Sequence, residues 1–122
     1  LYAFGCRANE VRMWMEGRME RLDPGPSDLD IGIKPSPGVR LTVYDKVQLA
    51  IALEDFFGVE RVDLIVLPEA KPFLAADIIR GERLYVEDED IADEYDLYVL
   101  RRAGDLAPLE RERIELILGV KT

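Results

Sequence analysis

Two aspartates one residue apart, Asp28 and Asp30, carry the plainest chemistry in this chain. On a strand, side chains two apart point to the same face, so these carboxylates stand side by side while Leu29, Ile31 and Ile33 face the other way. Paired carboxylates on a strand are how a sheet builds a metal site. A third carboxylate, Asp63, lies in a second β-rich run, Arg61 to Leu67, bounded by Pro68. Gly5-Cys6-Arg7 follows the apolar run Leu1-Tyr2-Ala3-Phe4, where glycine permits a tight turn and a close backbone approach to a ligand. Cys6 is the only cysteine and the chain has no histidine, so thiol catalysis with a histidine base is excluded.

These residues need elements to hold them. Leu1 to Phe4 reads as the end of a strand stopped by Gly5. Val11, Trp14, Met15 and Leu22 follow helical spacing and predict an inserted helix over about 8–22, interrupted in composition only by Gly17. Asp23-Pro24-Gly25-Pro26 is a turn that delivers the chain to Asp28. Thr42-Val43-Tyr44-Asp45 has capping-box spacing and opens a helix to Phe57, with Leu49, Leu53, Phe56 and Phe57 as its buried face and Gly58 as its left-handed cap. Pro72 starts a helix that Gly81 ends, and Arg83 to Val86 forms a brief edge strand. Asp88 caps a further helix that Gly104 stops, and a last helix runs from Pro108 to Leu118.

Composition limits the rest. A chain of 122 residues that is 48% hydrophobic is sized for one compact domain spanning 1–122. With 16 basic against 25 acidic residues, the net charge of -9 argues against a nucleic-acid polymer as partner. No apolar run is long enough to span a bilayer, and a single cysteine forms no internal disulfide, so the expectation is a soluble, cytoplasmic protein. Because the chain opens on Leu1 inside an apolar segment, further residues are expected to precede it. The acidic run Glu87-Asp88-Glu89-Asp90 lacks the central glycine of a Ca²⁺ loop and reads as a solvated helix start. Arg101, Arg102, Arg111 and Arg113 are interleaved with acids and read as a salt-bridged surface.

The order of strand, glycine turn, strand with Asp28 and Asp30, helix, and strand with Asp63 resembles the polymerase-β-like nucleotidyltransferase superfamily. Within it the chain is most similar to the minimal nucleotidyltransferases, the antitoxins paired with HEPN-domain toxins. Phe4 to Glu10, FGCRANE, resembles the family's FGSRARGE, and the likeness extends through Val62 to Leu67 and Gly81 to Asp105. It implies an α/β (α+β) fold: a small mixed sheet with helices packed on it and C-terminal helices. It also implies that Asp28, Asp30 and Asp63 are catalytic and bind Mg²⁺, and that Gly5, Cys6, Arg7 and Ser27 bind the nucleotide. The substrate would be ATP, and the acceptor a tyrosine of the HEPN toxin, which adenylylation neutralises. The chemistry fits these residue types, since Mg²⁺ takes oxygen ligands from few carboxylates and completes its shell with the triphosphate. A third carboxylate can orient or deprotonate the attacking hydroxyl.

The sequence departs from the family in two places. Cys6 replaces a serine whose hydroxyl is a better hydrogen-bond donor than a thiol. The spacer from Cys6 to Asp28 holds 21 residues, longer than the family's usual one, and the inserted helix accounts for the excess. These departures keep open an antitoxin of the same fold that acts by contact alone. AMP transfer to a small-molecule hydroxyl is a weaker alternative, because so short a chain leaves little room for a dedicated substrate domain. A homo-oligomer is left open.

Overall fold

Alternation decides the sheet. In the computed structural model, which describes residues 1–23 and 28–119, four strands form one mixed sheet in the order β3-β2-β1-β4. They are β1 (Tyr2–Phe4), β2 (Leu29–Ile33), β3 (Val62–Val66) and β4 (Glu82–Arg83). β1 runs antiparallel to β2 and β4, while β2 and β3 are parallel and pair Asp30 with Asp63. Ala3, Leu29, Ile31, Ile33, Val62 and Val66 turn to one face and form a buried core with Val11, Leu22, Phe57 and Val59. The strands' other residues, among them Phe4, Asp30, Gly32 and Asp63, share the opposite face.

The helices are α1 (Ala8–Met15), α2 (Val43–Phe57), α3 (Pro72–Ile79) and α4 (Glu89–Leu118). α2 has the expected capping box: Thr42 Oγ1 accepts from Asp45 N–H at 3.1 Å and Asp45 Oδ2 accepts from Thr42 N–H at 3.0 Å. Its cap Gly58 is left-handed, with φ +67°. Phe57 is buried and Leu49 and Leu53 pack partly against the core. Phe56, expected to be buried, is 62% exposed and stacks edge-on against Trp14, whose ring centroid lies 5.5 Å away.

Two helix expectations are corrected. The helix foreseen over 8–22 ends at Met15, because Gly17 at φ +77° closes a Schellman motif: its N–H donates to the Trp14 carbonyl, and Arg18 N–H donates to the Met13 carbonyl. The chain then reaches Leu22 without regular structure, and Leu22 is 1% exposed. Leu22→Ala is expected to lose about 2–5 kcal/mol, the usual cost of emptying a filled core position, measurable as a lower urea midpoint. The second correction concerns the C-terminal segment. Gly104 does not stop a helix there; α4 runs unbroken for 30 residues with Pro108 inside it. Proline presses on the carbonyl four residues back, and that residue is Gly104, with no side chain of its own to displace.

The chain divides into two compact units, 1–87 and 88–122. The sheet, α1, α2, α3 and every described candidate site residue belong to the first. The second is α4, whose N-terminus Asp88 caps by accepting from the N–H groups of Asp90 and Ile91 at 3.0 and 3.2 Å. Glu89 and Asp90 in the first turn suit the positive end of the helix dipole. No helix among the described residues is long and apolar enough to cross a membrane.

Candidate functional site

Asp30 stands between two strands that bring chemistry to it. On one side β1 pairs Phe4 with Asp30, so the residue after Phe4, Gly5, turns away beside the Asp30 carboxylate. On the other side parallel pairing places Asp63 directly opposite Asp30, with neighbouring backbones about 4.8 Å apart. Two positions further along the same face, a Cβ on Gly32 would collide with Ile78 of α3, so that helix covers the sheet there. Asp63 is left exposed and Asp30 half-buried. The carboxylates therefore occupy the uncovered end of a face whose other end is packed.

Gly5 is required twice over. Its φ of +74° lies in the left-handed region, which L side chains rarely adopt, and a Cβ there would overlap the Asp30 carboxylate. The turn Gly5–Arg7 is one 3₁₀ turn leading into α1, and it carries the exposed thiol of Cys6. The missing Cβ lets the Asp30 carboxylate pack directly against the backbone of the turn, the close approach that glycine permits.

Electrostatics single out the same residue. Partial burial, then repulsion from Asp63, then repulsion from Asp28, pushes the Asp30 carboxyl above the usual carboxylate range. Like charges held this way are the condition a cation relieves. Asp28, just before β2, lies 3.7 Å from Arg61 in an ion pair exposed on both sides, and such a pair holds its partners weakly. Among the described residues no group of three or more His, Cys, Asp or Glu side chains is gathered closely enough to hold a metal ion. The geometry is instead two adjacent oxygen donors, Asp30 and Asp63, with Asp28 close by. That set fits Mg²⁺, which is usually held by one or two carboxylates and completed by substrate oxygens.

Arg7, expected to meet phosphate, is placed differently. Its side chain is 7% exposed, and its Nε and Nη2 donate to the two carboxylate oxygens of Glu10 at 2.9 and 3.0 Å. Nη2 also donates to the Asp23 carbonyl, and Glu10 Oε1 accepts from Asp23 N–H at 2.9 Å. The hydrogen bond with Arg7 holds the Glu10 carboxyl below its ordinary range, and the same bond raises Arg7. Sequence reading passed over Glu10, although the spacing of three from Arg7 in a helix's first turn is a pairing signal. Ser27, and the turn expected at Pro24 to Pro26, lie outside the described residues.

No family model matches the chain, and no curated protein matches it in sequence. Solved structures do. A toxin–antitoxin complex in which two aspartates two positions apart had been changed to glutamate matches with a TM-score of 0.69 at 15% identity, covering 96% of this chain and 83% of that one. A toxin–antitoxin complex with AMP-PNP matches at 0.66 and 18% identity, covering 96% and 83%. A tri-AMPylated HEPN toxin from Shewanella oneidensis in complex with its MNT antitoxin matches at 0.66 and 15%, covering 96% and 80%. The chain shares its fold with these toxin–antitoxin structures. The four-stranded mixed sheet is the expected architecture, and it brings Gly5 and Asp63 to Asp30.

Proposed function

We propose that this chain is a Mg²⁺-dependent nucleotidyltransferase of the antitoxin type, which moves AMP from ATP to a hydroxyl of a HEPN-domain toxin in the cytoplasm. The single observation that carries the reading is Asp30, set against the bare Gly5 turn and in register with Asp63. Fold neighbours in complex with AMP-PNP and with an AMPylated HEPN toxin support it.

Asp30 and Asp63, assisted by Asp28, would hold the ion, and Gly5 with Cys6 would receive the phosphates at the turn. Mg²⁺ supplies charge neutralisation at the triphosphate when bound. Asp63, the exposed member, orients the attacking hydroxyl and accepts its proton. The hydroxyl oxygen forms a bond to the α-phosphorus as the bond to the bridging oxygen breaks, giving the AMP ester and pyrophosphate. Calorimetric titration with Mg²⁺ and AMP-PNP, repeated on Asp28→Asn/Asp30→Asn, tests the site. Binding that needs the metal and is lost in the double variant supports the reading, whereas metal-dependent binding that survives both changes overturns it.

Cys6 favours a second reading, in which the chain neutralises its partner by contact alone. A thiol is a weaker donor to phosphate than the serine hydroxyl of the family pattern. Cys6→Ser is expected to raise the transfer rate by about tenfold, on the order of one hydrogen bond to a charged group. If neither the parent chain nor Cys6→Ser transfers AMP while both neutralise the toxin, the contact-only antitoxin is the correct account.

A further inference from the structure

The geometry points to Arg7 and Glu10 as a positioning pair for the site, a clamp that holds the backbone of Asp23 against the helix start that follows the Gly5 turn. This deepens the nucleotidyltransferase reading and rests on it.

Asp23 is gripped from both sides of its backbone. Its N–H donates to Glu10 Oε1 at 2.9 Å, and its carbonyl accepts from Arg7 Nη2. The two clamping side chains are themselves joined by two parallel bonds of 2.9 and 3.0 Å, the fork geometry that guanidinium and carboxylate make and that lysine cannot copy. Arg7 is the residue after Cys6, and Glu10 lies in the first turn of α1. Asp23 is five residues before Asp28 in the chain. The clamp therefore ties Asp23 to the turn that would receive phosphate. The segment it holds, between α1 and β2, has no helix or strand among its described residues to fix it. A buried guanidinium engaged by Glu10 and Asp23 is arranged for this task, and its charge is matched inside the fold.

A double-mutant cycle separates the clamp from a phosphate ligand. Arg7→Gln, Glu10→Gln and the double variant are measured in the full chain by Mg²⁺-dependent affinity for AMP-PNP, and by hydrogen exchange at the Asp23 amide without metal or nucleotide. Arg7→Lys is added as the charge-conserving control. A clamp predicts that each single change weakens AMP-PNP binding by about tenfold, the lower range for groups that orient a metal site at one remove. It also predicts that the double variant loses less than the two singles together, because each single already breaks the shared fork. Arg7→Lys does not rescue, and Asp23 exchange quickens in all four variants. Should Arg7→Gln weaken binding while Glu10→Gln leaves it unchanged or tightens it, Arg7 is a phosphate ligand and the clamp is overturned. Unchanged Asp23 exchange in variants that keep the parent's circular dichroism overturns it too. A parent chain that binds no AMP-PNP at any Mg²⁺ concentration removes the nucleotide reading and the inference together, an outcome distinct from the failure of the clamp alone.

Discussion

On the proposed function, Asp30→Asn is expected to lose AMP transfer by more than the roughly 100-fold that changes one shell out from a metal cost, and at neutral pH to melt at a higher temperature than the parent chain. Both effects come from one cause. Burial and the charges of Asp63 and Asp28 raise the Asp30 carboxyl in the folded state above its unfolded value. As pH climbs from the ordinary aspartate range, the unfolded chain gives up this proton first, so folding stability falls until the folded carboxyl has also ionised. Above that window the loss is constant. Asparagine has no proton to lose, so the melting difference between variant and parent should be near zero at low pH, grow across the window and level off by neutral pH. Mg²⁺ should raise the melting temperature of the parent and leave Asp30→Asn unmoved. A variant less stable than its parent at pH 7, or one that still gains from Mg²⁺, would show that Asp30 is not the strained metal carboxylate argued above.

Gly5→Ala is expected to silence the site while Gly58→Ala, an equally left-handed glycine, does not. Both positions have positive φ, +74° and +67°, and an alanine there costs on the order of 1–3 kcal/mol of backbone strain. Around Gly58 there is nothing for a Cβ to meet, so the cost ends with the strain. At Gly5 the new methyl overlaps the Asp30 carboxylate and must displace it. Gly5→Ala should therefore lose at least as much stability as Gly58→Ala in urea titrations, but only Gly5→Ala should lose Mg²⁺-dependent AMP-PNP binding. Equal binding by both would separate the Gly5 turn from the site.

Much of this was legible in the residues. Strand alternation sorted Asp28 and Asp30 from Leu29, Ile31 and Ile33, the Thr42–Asp45 box opened α2, and Gly58 closed it, because each of these is settled by geometry within a few residues. Where local signals competed, the sequence misled. Gly17 lay inside a periodic apolar pattern and nonetheless ended α1, while Gly104 and Pro108 lay in a pattern they failed to break, since one missing hydrogen bond is small against a helix of 30 residues. Phe56 had the spacing of a core residue and is exposed, because α2 turns Phe57 inward and leaves Phe56 to Trp14.

By itself, then, the sequence determined the kinds of group available: oxygen ligands without histidine, a glycine turn, a single thiol. Only the tertiary structure decided which of them meet. The register of β2 on β3 set Asp30 against Asp63, that of β1 on β2 brought Gly5 to Asp30, and folding closed Arg7 and Glu10 around an Asp23 distant in sequence. Pairing between strands is fixed by burying Ala3, Leu29, Ile31 and Val62 on one face, a global condition that no short window of sequence contains.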